Sequence, residues 1–491
     1  MILTGLGILT ALAATGAEEP IDIGSRLELM VDDFLIDRMT GAELRLHHPQ
    51  PQETAIVFDE PWEGSACGYV TVFEDEGLYR MYYKAWHLDV TGGELKTSPL
   101  HIAYAESDDG IVWRKPELGL FEFEGSTANN IVWYGPPDHG FSPFRDPNPK
   151  APPEARYKAF GHGQIEAGRG VFAFASPDGI HWSLMHDEPV LTGCAFDSQN
   201  LAFWDSFRGE YRAYMRDFRE GFRDIKTATS PDFVHWTQPQ WLQYPGAPDE
   251  ALYTNQVRPY HRAPHIFIGM PARYCERGWS PSMEALPEPE HRRMRSDAGN
   301  RYGMAITDSL LMTSRDGGTF RRWGEAFVRP GIQRPGAWAY GDHYLQWGLV
   351  ETPSKLPGAA NELSLYSVEG YWTGTSSSLR RYTLRIDGFV SVHAALSGGE
   401  MLTRPLTFDG ERLVLNFSTS AAGGIRVEIQ DANGEAIEGF TLDDSDEVFG
   451  DEIERTVTWR GGESDVSALS GRPVRLRFVL RDADLYSLRF M

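Results

Sequence analysis

Cysteine is scarce. The chain has 491 residues and three cysteines, Cys67, Cys194 and Cys275, too few for a disulfide framework and spaced like no zinc motif. Long apolar runs are missing too: beyond residues 2–14, no stretch reaches the roughly 18 residues that a membrane helix requires. No membrane span is expected. Basic residues are outnumbered, 46 Lys and Arg against 70 Asp and Glu, which leaves a net charge of -24. That balance repels nucleic acid and anionic membranes. It also argues against a densely sulfated or carboxylated polymer as substrate, unless a local basic patch overrides the average. Helical periodicity is nearly absent, which excludes a helical bundle.

What is present is aromatic and repetitive. Aromatics make up 12% of the chain, with 14 Trp, and one heptapeptide recurs: Ser176-Pro-Asp178-Gly179-Ile-His-Trp182. Its echoes are Ser107-Asp-Asp109-Gly110-Ile-Val-Trp113, Ser230-Pro-Asp232-Phe-Val-His-Trp236 and the looser Ser314-Arg-Asp316-Gly317 ahead of Trp323. A faint fifth copy is Arg385-Ile-Asp387-Gly388-Phe389. Each copy follows an alternating apolar run, so each reads as a hairpin in which Asp accepts backbone N–H bonds and Trp packs back on the sheet. These aspartates are assigned to structure, at the outer edge. Repeats carrying several short strands each are the signature of a β-propeller.

The expected fold is all-β, a five-bladed β-propeller over residues 26–393 followed by a C-terminal β-sandwich over residues 397–491. A sixth blade would need the N-terminal strands plus an unrecognised segment. Blade one takes residues 68–73 and 78–83, the hairpin at Asp109 and a strand near Phe121. Blade two runs from about Phe141 to Leu191, and blade three from Asn200 through the hairpin at Asp232. Blade four begins at Tyr253 and holds a polar insertion over about 275–300; blade five begins near Tyr340 and ends around Val390. The alternating stretch Arg26–Ile36 reads as a leading strand that closes the ring. Residues 1–17 read as a signal peptide, an apolar run followed by Thr15-Gly16-Ala17, although a basic start is missing. The expected location is outside the cytoplasm.

In a propeller, the loop entering each innermost strand and the loop joining the second and third strands share one face around the channel. The entries offer Glu63, Asp146, Asp197, Glu250 and Asp342; the second-to-third loops offer Trp86, His87, His162, Arg216, Asp217, Arg219, Arg273, Tyr274, Glu369 and Trp372. Carboxylates crowded in a funnel repel one another, so one stays protonated beside an ionised neighbour, the pair that glycosidic cleavage needs. Asp197-Ser198-Gln199-Asn200 and Glu250 with Tyr253-Thr254-Asn255-Gln256 are the telling runs, because polar groups opening an apolar strand are costly unless they face water. Asp146, in Asp-Pro-Asn-Pro, also reads as a plain turn former. Asp32-Asp33 reads as turn residues, with calcium ligation the alternative; no other cofactor or metal is expected.

With repeats and funnel acids laid out, the chain resembles the five-bladed propeller glycoside hydrolases of families 32, 43 and 117, and most of all the exported bacterial proteins described as family-32-like. The likeness covers residues 26–393 and lies in architecture. The Trp-Met-Asn-Asp-Pro-Asn-Gly signature of family 32 is absent; Phe144-Arg-Asp146-Pro-Asn-Pro echoes part of it, and Arg216-Asp217-Phe218 echoes an Arg-Asp-Pro triplet without its proline. By position the resemblance implies Glu63, Asp146, Asp197 and Glu250 as the equivalents of the family's acids. The expectation is an inverting, exo-acting hydrolase of an oligosaccharide or polysaccharide. Asp197 serves as base and Glu250 as acid, with Glu63, Asp146 and Glu369 tuning. The sugar binders are Arg216, Asp217, Gln199, Asn200, Tyr253, Asn255, Gln256, Arg273, Trp86, His87 and Trp372. Three alternatives stand: a sialidase-like enzyme using Arg216, Arg219 and Arg273 with Tyr253 or Tyr274, a lyase using His87 or His162, and a carbohydrate-binding protein without catalysis.

Overall fold

A computed structural model describes residues 19–491, so the signal peptide expected at residues 1–17 lies outside the described residues. The chain forms two compact units, one of residues 46–391 and one that joins the N-terminal residues up to 45 with 392–491.

The larger unit holds five four-stranded antiparallel sheets, the blades of a propeller. Their innermost strands are Gly68–Asp75, His139–Arg145, Leu201–Asp205, Arg258–Tyr260 and Val350–Thr352. Blade one continues through Leu78–Ala85 and His101–Ser107 to Ile131–Tyr134, so its last strand lies beyond the expected position near Phe121. Blade two begins at His139, and its inner strand runs to Arg145, so Asp146 stands at the exit of that strand and not at its entry. Blade five takes its outer strand, Gln50–Val57, from the start of the unit: it pairs with Ser378–Arg385 and closes the ring. The closing strand is therefore not the 26–36 stretch, where Glu28–Leu29 pairs with the C-terminal strand Val474–Phe490 and Ile36–Thr40 with Gly399–Thr403. An alternating apolar run carries no mark of its partner, since any sheet face of the same period accepts it.

The repeated turn explains how the blades lock. In each of four copies the Asp carboxylate accepts two backbone N–H bonds, as Asp178 does from Ile180 at 2.8 Å and His181 at 2.9 Å. Gly179, at φ +80°, keeps the turn open where a side chain would strain. A tyrosine from the second strand of the preceding blade then reaches the turn carbonyl: Tyr82 donates to Gly179 at 2.9 Å, Tyr214 to Gly317 at 2.8 Å, and Tyr366 to Gly110. Between blades two and three this tie is apolar. Phe160 stacks on Phe233 with ring centroids 5.0 Å apart, and Phe233 stands where the other copies have glycine. In the fifth copy Asp387 accepts from Tyr260 (2.7 Å) and Arg262 (3.1 Å), so it is anchored by side chains as well.

The amides of the polar runs at the strand entries do not face water. Gln199, Gln256 and Gln346 are at most 2% exposed. Gln256 Nε2 donates to Gln199 Oε1 at 2.9 Å and to the Leu345 carbonyl at 3.0 Å, and Gln346 Oε1 accepts from Val70 N at 2.7 Å. Side-chain amides thus tie inner segments of different blades together across the centre, which offsets most of the cost of burying them, Gln256 Oε1 being left without a partner among the described residues.

In the smaller unit, ten strands share one hydrogen-bonded network built on two long ones, Leu413–Asp431 and Val474–Phe490. Ile425, Val427, Leu476, Phe478 and Trp459 lie in its core.

The insertion of blade four is helical: α1 (Pro281–Glu284), α2 (Pro289–Ala298) and α3 (Asn300–Met304). Buried arginines of α2 fasten it to the loops around blade five. Arg295 donates to the Tyr340 carbonyl at 3.1 Å, and Arg292 to that of Ala337 at 3.1 Å. At Gly303 a Cβ would meet the Arg292 carbonyl oxygen at 2.1 Å, so only glycine lets α3 close on α2.

Candidate active site

One cavity, of about 140 Å³, gathers a carboxylate, cations and a wall of rings. Blade one supplies Tyr69, Lys84 and Trp86; blade two supplies His139; the entries of blades three and four supply Asp197 and Tyr253. Tyr340, Gly341, Tyr344, Tyr371 and Trp372 come from the segments around blade five, and α3 adds Arg301 and Tyr302. At Gly341 a Cβ would meet the Tyr371 ring at 2.2 Å, so glycine is what lets that ring reach the cavity.

Asp197 is the only carboxylate among the lining residues. Its side chain is 58% exposed and loosely held, with His139 Nε2 at 3.5 Å from one oxygen and Arg216 Nη2 at 3.9 Å from the other. Desolvation by the cavity walls works to raise its pKa. The opposing influence of His139, Arg216, Lys84 and Arg301 outweighs it and holds the carboxyl below the usual aspartate range. Burial depresses the Lys84 ammonium to about 8 against the pull of Asp197. The ammonium rests 4.6 Å from the centre of the Tyr69 ring and 4.5 Å from that of Trp86. Burial, followed by the nearby Lys84 charge, lowers His139 to about 3, so its imidazole is neutral at ordinary pH. Burial likewise raises the tyrosines of the wall, Tyr253 and Tyr340 among them, so they stay protonated.

Of the residues expected from sequence, Asp197, Tyr253, Trp86 and Trp372 line this cavity. Arg216 stands behind it, 4% exposed, with its guanidinium 5.2 Å from the Tyr253 ring centre. Glu250 does not join them. Arg273 holds one of its oxygens at 2.8 Å and Arg322 the other at 2.5 Å, and it borders two other surface pockets. Asp146 is buried under Lys158 and accepts from Tyr211 at 2.6 Å, the turn-anchoring role that Asp-Pro-Asn-Pro suggests. Glu63 is buried against Lys115 (2.7 Å) and Tyr83 (2.5 Å), and Glu369 is held by Arg334 and Arg380. Asp342 is fully buried and accepts from Tyr371 N at 2.8 Å; burial raises its carboxyl to about 8.

The amide binders are structural. Gln199 and Gln256 bond each other, Asn200 Nδ2 donates to the Phe196 carbonyl at 2.8 Å, and Asn255 Oδ1 accepts from Val257 N at 3.2 Å. Asp217 pairs with Lys226 at 2.7 Å, and His87 Nδ1 accepts from Ser65 N at 3.3 Å. Nor do the three arginines of the sialidase alternative converge: Arg216 faces Asp197, Arg219 pairs with Asp224, and Arg273 with Asp308 and Glu250. His162 lies behind His139, ring centres 5.9 Å apart, and is not a lining residue.

Sequence reading missed Lys84, His139 and Arg301. Lys84 had a signal, a cation placed between rings in Tyr82-Tyr83-Lys84-Ala85-Trp86. His139 opens the inner strand of blade two, an entry position like those searched for acids, but it is not itself an acid. Arg301 belongs to a helix of the insertion, and its place depends on how α2 docks.

No family model matches the chain, and no curated protein does. Solved structures with a similar chain path include an N-acetylgalactosamine deacetylase from F. plautii, at 13% identity and a TM-score of 0.42, covering 70% of this chain and 96% of that one. A Bombyx mori family 32 β-fructofuranosidase matches at 11% identity and a TM-score of 0.39, covering 91% and 94%. A structure described under the family 130 mannoside phosphorylases and glycoside hydrolases matches at 12% and 0.38, covering 68% and 94%. At such values none of their activities passes to this chain.

Proposed function

We propose that the protein is a glycoside hydrolase that takes one terminal sugar unit into the tyrosine-walled cavity. The reading rests on Asp197: a solvent-facing carboxylate, kept ionised by surrounding groups, among rings that suit stacking on a pyranose or furanose face. Asp197 draws a proton from the attacking water as the C–O bond at the anomeric carbon breaks. The Lys84 ammonium, with its pKa near working pH, gives a proton to the departing oxygen. Lys84 takes the part expected of Glu250. With a single lining carboxylate, the closely spaced nucleophile and acid carboxyls of retaining enzymes have no counterpart in the cavity, which favours inversion. Arg301 and Tyr302 beside the cavity favour action on chain ends. The apolar run at residues 2–14 supports export, which fractionation of expressing cells would test.

The experiment is a panel of plant and algal oligosaccharides with product anomers followed by NMR. Release of an inverted terminal sugar by the wild type, and none by Asp197→Asn, is the expected result. An unsaturated product absorbing in the ultraviolet would mean elimination, and turnover undiminished in Asp197→Asn would end the assignment.

A further inference from the structure

The protein carries a charge of -24, yet the cavity is cationic. Its lining offers Lys84 and Arg301 against Asp197 alone, and the Asp197 charge is already faced by Arg216. Neither Lys84 nor Arg301 has a carboxylate within 4 Å among the described residues. Lys84 is 3% exposed, and its recorded contacts are the faces of Tyr69 and Trp86. Arg301 donates one bond, to Tyr302 Oη at 2.9 Å, and its guanidinium lies 4.5 Å from the centre of that ring. That leaves most of its N–H donors free for a ligand. One carboxylate shared among Lys84, Arg301 and Arg216 leaves the confined site with excess positive charge, and such cations repel one another and are costly to desolvate. A neutral sugar relieves none of that, because hydroxyls bring no charge. A planar carboxylate or a sulfate ester does, and guanidinium is the side chain best shaped to receive either.

We propose that the sugar unit bound here carries an anionic substituent, a carboxylate or a sulfate ester, received by Arg301 with Lys84 adding to the field. The proposal rests on the reading of this cavity as a sugar site. It is the local basic patch that reverses what the average charge suggests.

The test uses the full chain and three probes, D-glucuronate, D-glucose 6-sulfate and D-glucose, with binding followed by saturation-transfer NMR and isothermal titration. At least one anionic probe should bind about tenfold or more tightly than glucose, a difference of about 1.4 kcal/mol, and should weaken as salt rises. Which anion binds better separates the carboxylate source from the sulfate source. Arg301→Gln should erase the preference while Arg301→Lys keeps part of it, with melting temperatures confirming that both variants fold. Equal binding of the three probes, undetectable binding of both anions, or a preference that survives Arg301→Gln overturns the proposal. Asp197→Asn should retain the preference. A wild type that prefers the anion yet cleaves nothing on the panel sinks the hydrolase reading alone. One that cleaves neutral and anionic chains equally sinks this inference alone.

Discussion

Asp197 and Glu250 look alike in sequence, each an acid a few residues ahead of a polar run, yet the structure gives them opposite surroundings. Both oxygens of Glu250 are taken by guanidiniums at 2.8 and 2.5 Å. Those of Asp197 face the neutral His139 ring at 3.5 Å and the Arg216 guanidinium at 3.9 Å, and the carboxylate looks into a cavity. An acid satisfied on both sides is part of the frame. One that feels positive charge at a distance stays ionised and keeps its lone pairs for a ligand.

Four experiments would break or sharpen that contrast. The largest effect is expected from Asp197→Asn, which should lower kcat by about 10²–10⁴-fold with a melting temperature close to wild type; an equal loss in Glu250→Gln would erase the distinction. Glu250→Gln should instead act on stability. It leaves Arg273 with Asp308 but deprives Arg322 of its carboxylate, at a cost of about 2 kcal/mol in urea unfolding, discounted because the pair is partly solvated.

Next comes the pH profile of kcat/KM. Asp197 must be ionised, so activity should rise with pH through a value below the usual aspartate range. Lys84 must be protonated, so activity should fall above about 8, tenfold per unit. A profile flat to pH 10 would remove Lys84 from the role of acid. The smallest effect, about 1 kcal/mol, is expected of Tyr82→Phe, which leaves the Gly179 carbonyl without its donor from the neighbouring blade. Denaturant titration that shows no change would mean that ring packing alone carries the tie.

Much of the architecture was legible along the chain. The Ser-x-Asp turns are local objects, their bonds closed within four residues, so the sequence alone marks them, and with the fainter copy at Asp387 they pointed to five blades while a sixth stayed open. The funnel acids were less so. Asp146 stands at the exit of the inner strand His139–Arg145, the opposite end from an entry residue, and at Gln199 and Gln256 a polar run that suggested water is two amides bonding each other. Lys84 was visible only as an oddity.

Local chemistry therefore determined the turns, the alternation of the strands and the all-β class, because each depends on residues adjacent in the chain. Ring closure by Gln50–Val57, the withdrawal of Glu250 between Arg273 and Arg322, and the placing of Arg301 beside the cavity were decided by the tertiary structure alone. Each joins residues dozens to hundreds of positions apart, and charge or strand period gives no means of choosing such partners in advance.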